Sequence, residues 1–187
     1  MQTPSQMGVV AMTPPAGPTG PDTDAVIALT GRFADRDAWQ AEGWCRIEHA
    51  LELIGTRSAM ILMREIYYGG RRFDELARRT GLTEAVAAKR LKQLVADGLL
   101  QRRPYQEPGK RTRYEYVLTE LGRELFPVLV ALLQWGERLG RDGGVELVHA
   151  GCGSPLGVVV KCAEGHEVAL PDTAARLVMD GNGTGLP

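Results

Sequence analysis

Residues 82–98 read LTEAVAAKRLKQLVADG, and the periodicity of this stretch orders everything around it. Ala87, Leu91, Leu94 and Val95 fall on one face of a helix, while Glu84, Ala85, Ala88, Lys89, Lys92 and Gln93 fall on the opposite face. Thr83 stands where an N-cap is needed and Gly98 where the helix must stop, so the spacing predicts a helix of about fifteen residues, roughly 22 Å long. Upstream, Phe73, Leu76 and Ala77 make the inward stripe of a shorter helix that Gly81 closes as a left-handed C-cap residue. Downstream, 99–105 and 112–118 are β-prone runs joined through Pro108-Gly109, and Pro104 implies an unpaired edge on the first of them. The order is helix, turn, helix, basic hairpin.

Working outward, Trp44, Ile47, Leu51 and Ile54 define a first helix ended by Gly55. Ser58 is the expected N-cap of a second, with stripe Ala59, Leu62, Met63 and Ile66 and a stop at Gly69-Gly70. After the hairpin, Thr119 is expected to cap one long helix reaching about Gly140. Its residues Leu121, Leu125, Val128, Leu132, Trp135 and Leu139 form a heptad-like seam, with Leu129 and Leu133 beside it. That is more apolar surface than one small domain can cover, and it predicts a homodimer.

The 187 residues, 44% hydrophobic, suffice for one good core and a small satellite. A formal charge of -1 argues superficially against a polyanionic partner. Its distribution argues the reverse: residues 43–141 hold 18 Lys/Arg against 12 Asp/Glu, whereas 1–42 hold 2 against 5 and 142–187 hold 2 against 6. A basic centre between acidic flanks is the pattern of a module that meets nucleic acid.

Four segments follow. Residues 1–21, with five prolines, read as a disordered tail. Residues 22–42 read as an N-terminal arm of helical character, 43–141 as the main domain, and 142–187 as a small β-rich, ribbon-like extension with β-prone runs at 145–148, 158–162 and 167–170. The end from Gly181 is expected to fray. The fold class expected is mainly α with a small β-hairpin wing, a winged helix-turn-helix, plus the β-rich tail. Neither a basic start followed by an apolar run nor an eighteen-residue apolar stretch is present, so the expectation is cytoplasmic, without a membrane partner.

A helix can read base edges when its leading end carries donors, acceptors or small apolar groups and fits a major groove roughly 12 Å wide. Thr83, Glu84, Ala85, Ala88, Lys89 and Lys92 are the candidate readers. Glu84 suits a cytosine amino group, Ala85 and Ala88 suit thymine methyls, and Lys89 suits guanine or phosphate. Read alone, the same face is equally the solvated side of a core helix. Arg102, Lys110, Arg111 and Arg113, with Arg103, put a basic hairpin directly behind it, suited to phosphates or the minor groove.

Residues 45 to about 140 resemble the HxlR-type winged-helix transcriptional regulators. The resemblance rests on Cys45 opening the first helix, Arg72-Phe73-Asp74-Glu75-Leu76, Arg90-Leu91 with Leu94 and Asp97-Gly98-Leu99, Arg103-Pro104-Tyr105 with Tyr114-Glu115-Tyr116, Leu118-Thr119-Glu120-Leu121-Gly122, and Gln134-Trp135-Gly136. It implies a homodimeric regulator of transcription, often a repressor, binding double-stranded DNA through a pseudo-palindromic site. The first and last helices would form the dimer interface. Gly55-Thr56-Arg57-Ser58 departs from the family, which commonly carries Trp at its fourth position.

Three cysteines in a reducing compartment do not suggest a disulfide framework. Cys45 lies where some relatives resemble redox switches, although a cysteine in an apolar helix is commonly just buried. His149-x-x-Cys152 and Cys162-x-x-x-His166 supply ligand types and number for zinc, but a zinc ribbon would place another Cys near Gly165. His49 reads as a surface or interface residue. Other readings are a redox- or metal-responsive sensor of the same fold and a winged helix used for protein contacts. An enzyme is not expected, since no phosphate loop, nucleophile elbow or isolated carboxylate pair is present. A small-molecule effector is expected without an identity, lodged by aromatic content near Trp135, Trp39 and Trp44.

Overall fold

The computed structural model describes residues 27–37, 45–140 and 144–178. In chain order the elements are β1 (Ala28–Leu29), a 3-10 turn at Gly31–Ala34, α1 (Arg46–Ile54), α2 (Arg57–Tyr67), α3 (Phe73–Thr80), α4 (Glu84–Ala96), β2 (Leu100–Tyr105), β3 (Arg113–Leu118), α5 (Glu120–Glu124), α6 (Phe126–Glu137), a second 3-10 turn at Leu170–Asp172 and β4 (Ala174–Ala175). They fall into two compact units, one holding 27–37 with 160–178 and the other 45–140 with 144–159.

The larger unit is built on one apolar cluster. Ala59, Leu62, Met63 and Ile66 of α2 meet Leu76 of α3, Leu91 and Leu94 of α4, and Leu99 and Leu100 at the entry to β2. Every residue of the α2 stripe is buried, as its spacing predicts. The cap is different: Thr56, not Ser58, accepts the Ala59 N–H at 3.2 Å, so the helix starts two residues earlier than expected. Thr56 is extended at φ -98°, ψ 141°, as an N-cap must be.

β2 and β3 form a two-stranded antiparallel hairpin in which Arg102 faces Tyr116, Arg103 faces Glu115 and Pro104 faces Tyr114. Tyr116 N–H donates to the Arg71 carbonyl at 2.9 Å, which ties the hairpin to the start of α3. Thr119 N–H donates to the Leu99 carbonyl at 3.2 Å, and Tyr67 O–H donates to the Gly122 carbonyl. Burial pushes the Tyr67 phenol up to about 12, so it stays a donor.

The expected single helix from Thr119 is two. Thr119 does cap the first, accepting Gly122 N–H at 3.0 Å, but α5 ends at Glu124 and α6 begins at Phe126. Pro127 is the cause, because it has no N–H for the Arg123 carbonyl and its ring crowds the preceding turn. Leu129 and Val130 of α6 are buried, while Leu121, Val128, Leu132, Trp135 and Leu139 of the seam are exposed and Leu125 is half-buried.

The smaller unit holds little regular structure. Ala28–Leu29 pairs in parallel with Ala174–Ala175, and Lys161 bridges Glu167. In the larger unit Val148 bridges Pro155. The tail expected to be β-rich thus has isolated bridges and one two-residue strand where continuous strands were expected. Gly144, Gly157, Gly165 and Pro171 flank these short apolar runs and limit the length of any ladder they could form. The arm expected to be helical shows, over 27–37, only β1 and a 3-10 turn. Residues 1–21, 141–143 and the end from 181, with Trp39 and Trp44, lie outside the described residues. Among the described residues no helix is long and apolar enough to cross a membrane.

Candidate nucleic-acid interface

Helix α4 is held by its buried side and offers the other. Ala87, Leu91 and Leu94 are fully buried, which fixes the helix in rotation. Thr83, extended at φ -64°, ψ 150°, accepts Val86 N–H at 3.4 Å. Just before it, Gly81 sits at φ +66°, a left-handed position open to glycine, and lets α3 turn into α4. Thr80 Oγ1 donates to the Leu76 carbonyl at 2.7 Å and closes the end of α3.

Thr83, Glu84, Ala85, Ala88, Lys89 and Lys92, all predicted readers, are exposed. Gln93 is exposed too, but its Nε2 donates to Asp97 Oδ1 at 2.7 Å and is turned back toward the helix end. Val86 was missed. It is 44% exposed, one turn from Lys89 and Arg90, and adds an apolar group to the leading turn. An apolar residue on a polar face is the signal that identifies it.

The wing turns at Glu107-Pro108-Gly109-Lys110. Lys110 N–H donates to the Glu107 carbonyl at 3.0 Å and Gly109 has φ +75°, the arrangement that a Pro-Gly pair at the two central positions favours. Arg102, Lys110, Arg111 and Arg113 are all exposed, in unequal settings. The Arg102 guanidinium lies over the Tyr114 ring at 4.1 Å. Lys110 Nζ is 2.9 Å from Glu107 Oε2, and Arg103 NH2 is 2.6 Å from Glu115 Oε1. Arg72, which the site reading passed over, reaches Glu107 Oε1 at 3.0 Å and lies over Tyr105 at 4.8 Å. The Lys110 ammonium, with Arg72 behind it, holds the Glu107 carboxyl below its ordinary value. Arg111 and Arg113 have no acidic partner among the described residues.

Apolar side chains are exposed on α1 and on α5 and α6 as well. Ile47 and Leu51 of α1 are exposed, 71% for Ile47, as are Leu121, Val128, Leu132, Trp135 and Leu139, with Trp135 at 62%. Phe126, the first residue of α6, is a further exposed apolar residue.

The cysteines divide. Cys45 occupies the N-cap of α1, half-buried and free. Cys152 is exposed, and its thiol is pulled down to about 7, chiefly by the Ser154 hydroxyl and backbone N–H and then by His149, whose Nδ1 is 3.3 Å away. Ser154, absent from the sequence reading, is the main cause. Cys162 Sγ lies 3.6 Å from His166 Nδ1. A glycine with positive φ adjoins each pair, Gly153 after Cys152 and Gly165 before His166. No group of three or more metal-ligating side chains is found among the described residues.

A capped helix behind a left-handed glycine, followed by a basic hairpin, defines a winged helix-turn-helix protein. Comparison with known proteins makes this narrower. The family model for the HxlR-like helix-turn-helix matches residues 53–142. The HTH-type transcriptional regulator Rv3095 of Mycobacterium tuberculosis is 41% identical over 124 residues, covering 63% of this chain and 77% of its own. The crystal structure of PA1607, described as a candidate transcription factor, has a TM-score of 0.65 at 34% identity, covering 75% of this chain and 98% of that one. PA1374 from Pseudomonas aeruginosa, described in the same way, has a TM-score of 0.51 at 33% identity, covering 75% and 95%. The chain belongs to the HxlR-like helix-turn-helix family. It is a DNA-binding transcriptional regulator and not an enzyme.

Proposed function

We propose that the chain is a repressor that binds a pseudo-palindromic promoter site as a homodimer, reading bases with α4 and phosphates with the wing. The observation that carries the dimer is the exposed apolar set Ile47, Leu51, Val128, Leu132, Trp135 and Leu139 on α1 and α6 with its C-terminal end. Side chains of this size left in water favour a partner with the same face, and an isologous contact supplies one. A two-fold dimer sets two recognition helices about one helical turn, roughly 34 Å, apart. Thr83, Glu84, Ala85, Ala88, Lys89 and Lys92 read the groove in this account, while Arg102, Lys110, Arg111 and Arg113 neutralise phosphates. Such binding weakens steeply with salt, and a flat dependence between about 50 and 200 mM would count against it. Replacing Lys110 and Arg111 together by Ala removes duplex binding under this reading and leaves function intact if the winged helix serves protein contacts.

Redox control through Cys45 is a second reading, supported by its place as a half-buried free thiol at a helix start. It fails if DNA affinity is unchanged after Cys45 reacts with an oxidant. Zinc binding through His149, Cys152, Cys162 and His166 rests on ligand type and spacing along the chain. Purified protein without stoichiometric zinc ends that idea. A small-molecule effector belongs to the same account, and the genes beside the protein's binding sites would suggest its nature.

A further inference from the structure

The cations on and beside the wing are not equivalent, and one carboxylate engages two of them. Glu107 Oε1 lies 3.0 Å from Arg72 NH2, and Glu107 Oε2 lies 2.9 Å from Lys110 Nζ. One side chain of the hairpin tip therefore engages a cation at the N-cap of α3 and another on its own turn. Arg72 is held from a second side by the Tyr105 ring at 4.8 Å. On the same wing Arg111 and Arg113 have no acidic partner among the described residues.

We propose that Glu107 is a specificity-determining positioning residue: by engaging Arg72 and Lys110 it competes with DNA phosphates for both cations, weakens their phosphate contacts and so limits sequence-blind binding. This rests on the DNA-reading function proposed above. Phosphate contacts supply affinity without sequence information, so every cation freed on the wing strengthens binding to any duplex alike. Base contacts from α4 gain nothing from it. A cation that must leave Glu107 for a phosphate exchanges one ion pair for another, and the carboxylate left behind repels the backbone. Arg111 and Arg113 meet no such cost. Arg111 and Arg113 thus meet phosphates without a competing carboxylate, whereas Arg72 and Lys110 meet them against Glu107.

The test compares salt dependence of binding to labelled mixed-sequence duplex DNA for the wild-type chain, Glu107→Gln and Glu52→Gln. Gln preserves the shape of Glu107, and the turn's backbone hydrogen bond does not involve its side chain. Glu52 is an exposed α1 residue paired with His49, and its replacement removes the same charge away from the wing. The expected result is a log-log salt slope steeper for Glu107→Gln by up to about 1.8, at about 0.9 per additional phosphate neutralised, with Glu52→Gln near wild type. Against a duplex selected by the wild-type protein, Glu107→Gln should gain less than against mixed sequence, so its specificity ratio falls. An unchanged slope overturns the proposal. So does a shallower one, which would mean that Glu107 orients its cations toward phosphate. A wild-type chain that binds no duplex at all overturns the underlying DNA reading instead, and the two failures are distinct.

Discussion

At Thr83 a single hydroxyl satisfies an amide that the first turn of α4 leaves without a partner. Thr83→Ala should lower stability by about 0.5–2 kcal/mol, measured by denaturant unfolding, while Thr83→Ser stays near wild type. On the wing, residue settings rank the cations: Arg111→Ala should make the salt slope shallower by about 0.9, and Lys110→Ala by less, because Glu107 already holds Lys110. Equal losses would contradict that ranking. Cys152 has its own signature. With Cys45 and Cys162 replaced by Ser, alkylation of Cys152 should rise with pH through about 7, below the ordinary thiol range, because the thiolate is the nucleophile. Ser154→Ala should move that midpoint upward. The capped start of α4 and the basic residues are legible in the sequence because both are local. The pairings of Glu107, and the effect of Ser154 on Cys152, are not legible, since they depend on which side chains a turn brings face to face.

Between elements, α2 to α4 follow from periodicity, because a stripe such as Ala59, Leu62, Met63 and Ile66 has only one buried face to occupy. Leu91→Ala should cost about 2–5 kcal/mol, since Leu91 is fully enclosed among α2, α3 and β2. Gly122 is constrained from outside its helix. A Cβ there would run into the Leu99 carbonyl oxygen, so Gly122→Ala should loosen the junction of α5 and the hairpin and lower the melting temperature. The break between α5 and α6 is written in Pro127, yet the apolar seam runs through it without interruption and periodicity alone overrides the proline. The cap at Thr56 differs from Ser58 by two residues of the same chemical kind, so composition cannot choose between them. In the tail, short β-prone runs do not specify partners, and the pairing of Ala28–Leu29 with Ala174–Ala175 joins residues far apart in the chain.

For the whole molecule, a net charge of -1 conceals a basic reading domain between acidic flanks, and the apolar residues exposed on α1 and α6 support a second copy of the chain. Leu132→Glu should shift the protein toward monomer in sedimentation and weaken operator binding at least tenfold, because a lone subunit engages one half-site. The measurement that bears most directly on the central claim is footprinting of the wild-type protein on its own genomic DNA. The account predicts discrete sites protected over two symmetric halves, with centres one helical turn, roughly 34 Å, apart. Protection of no discrete site, or of a single unpaired half, would contradict it.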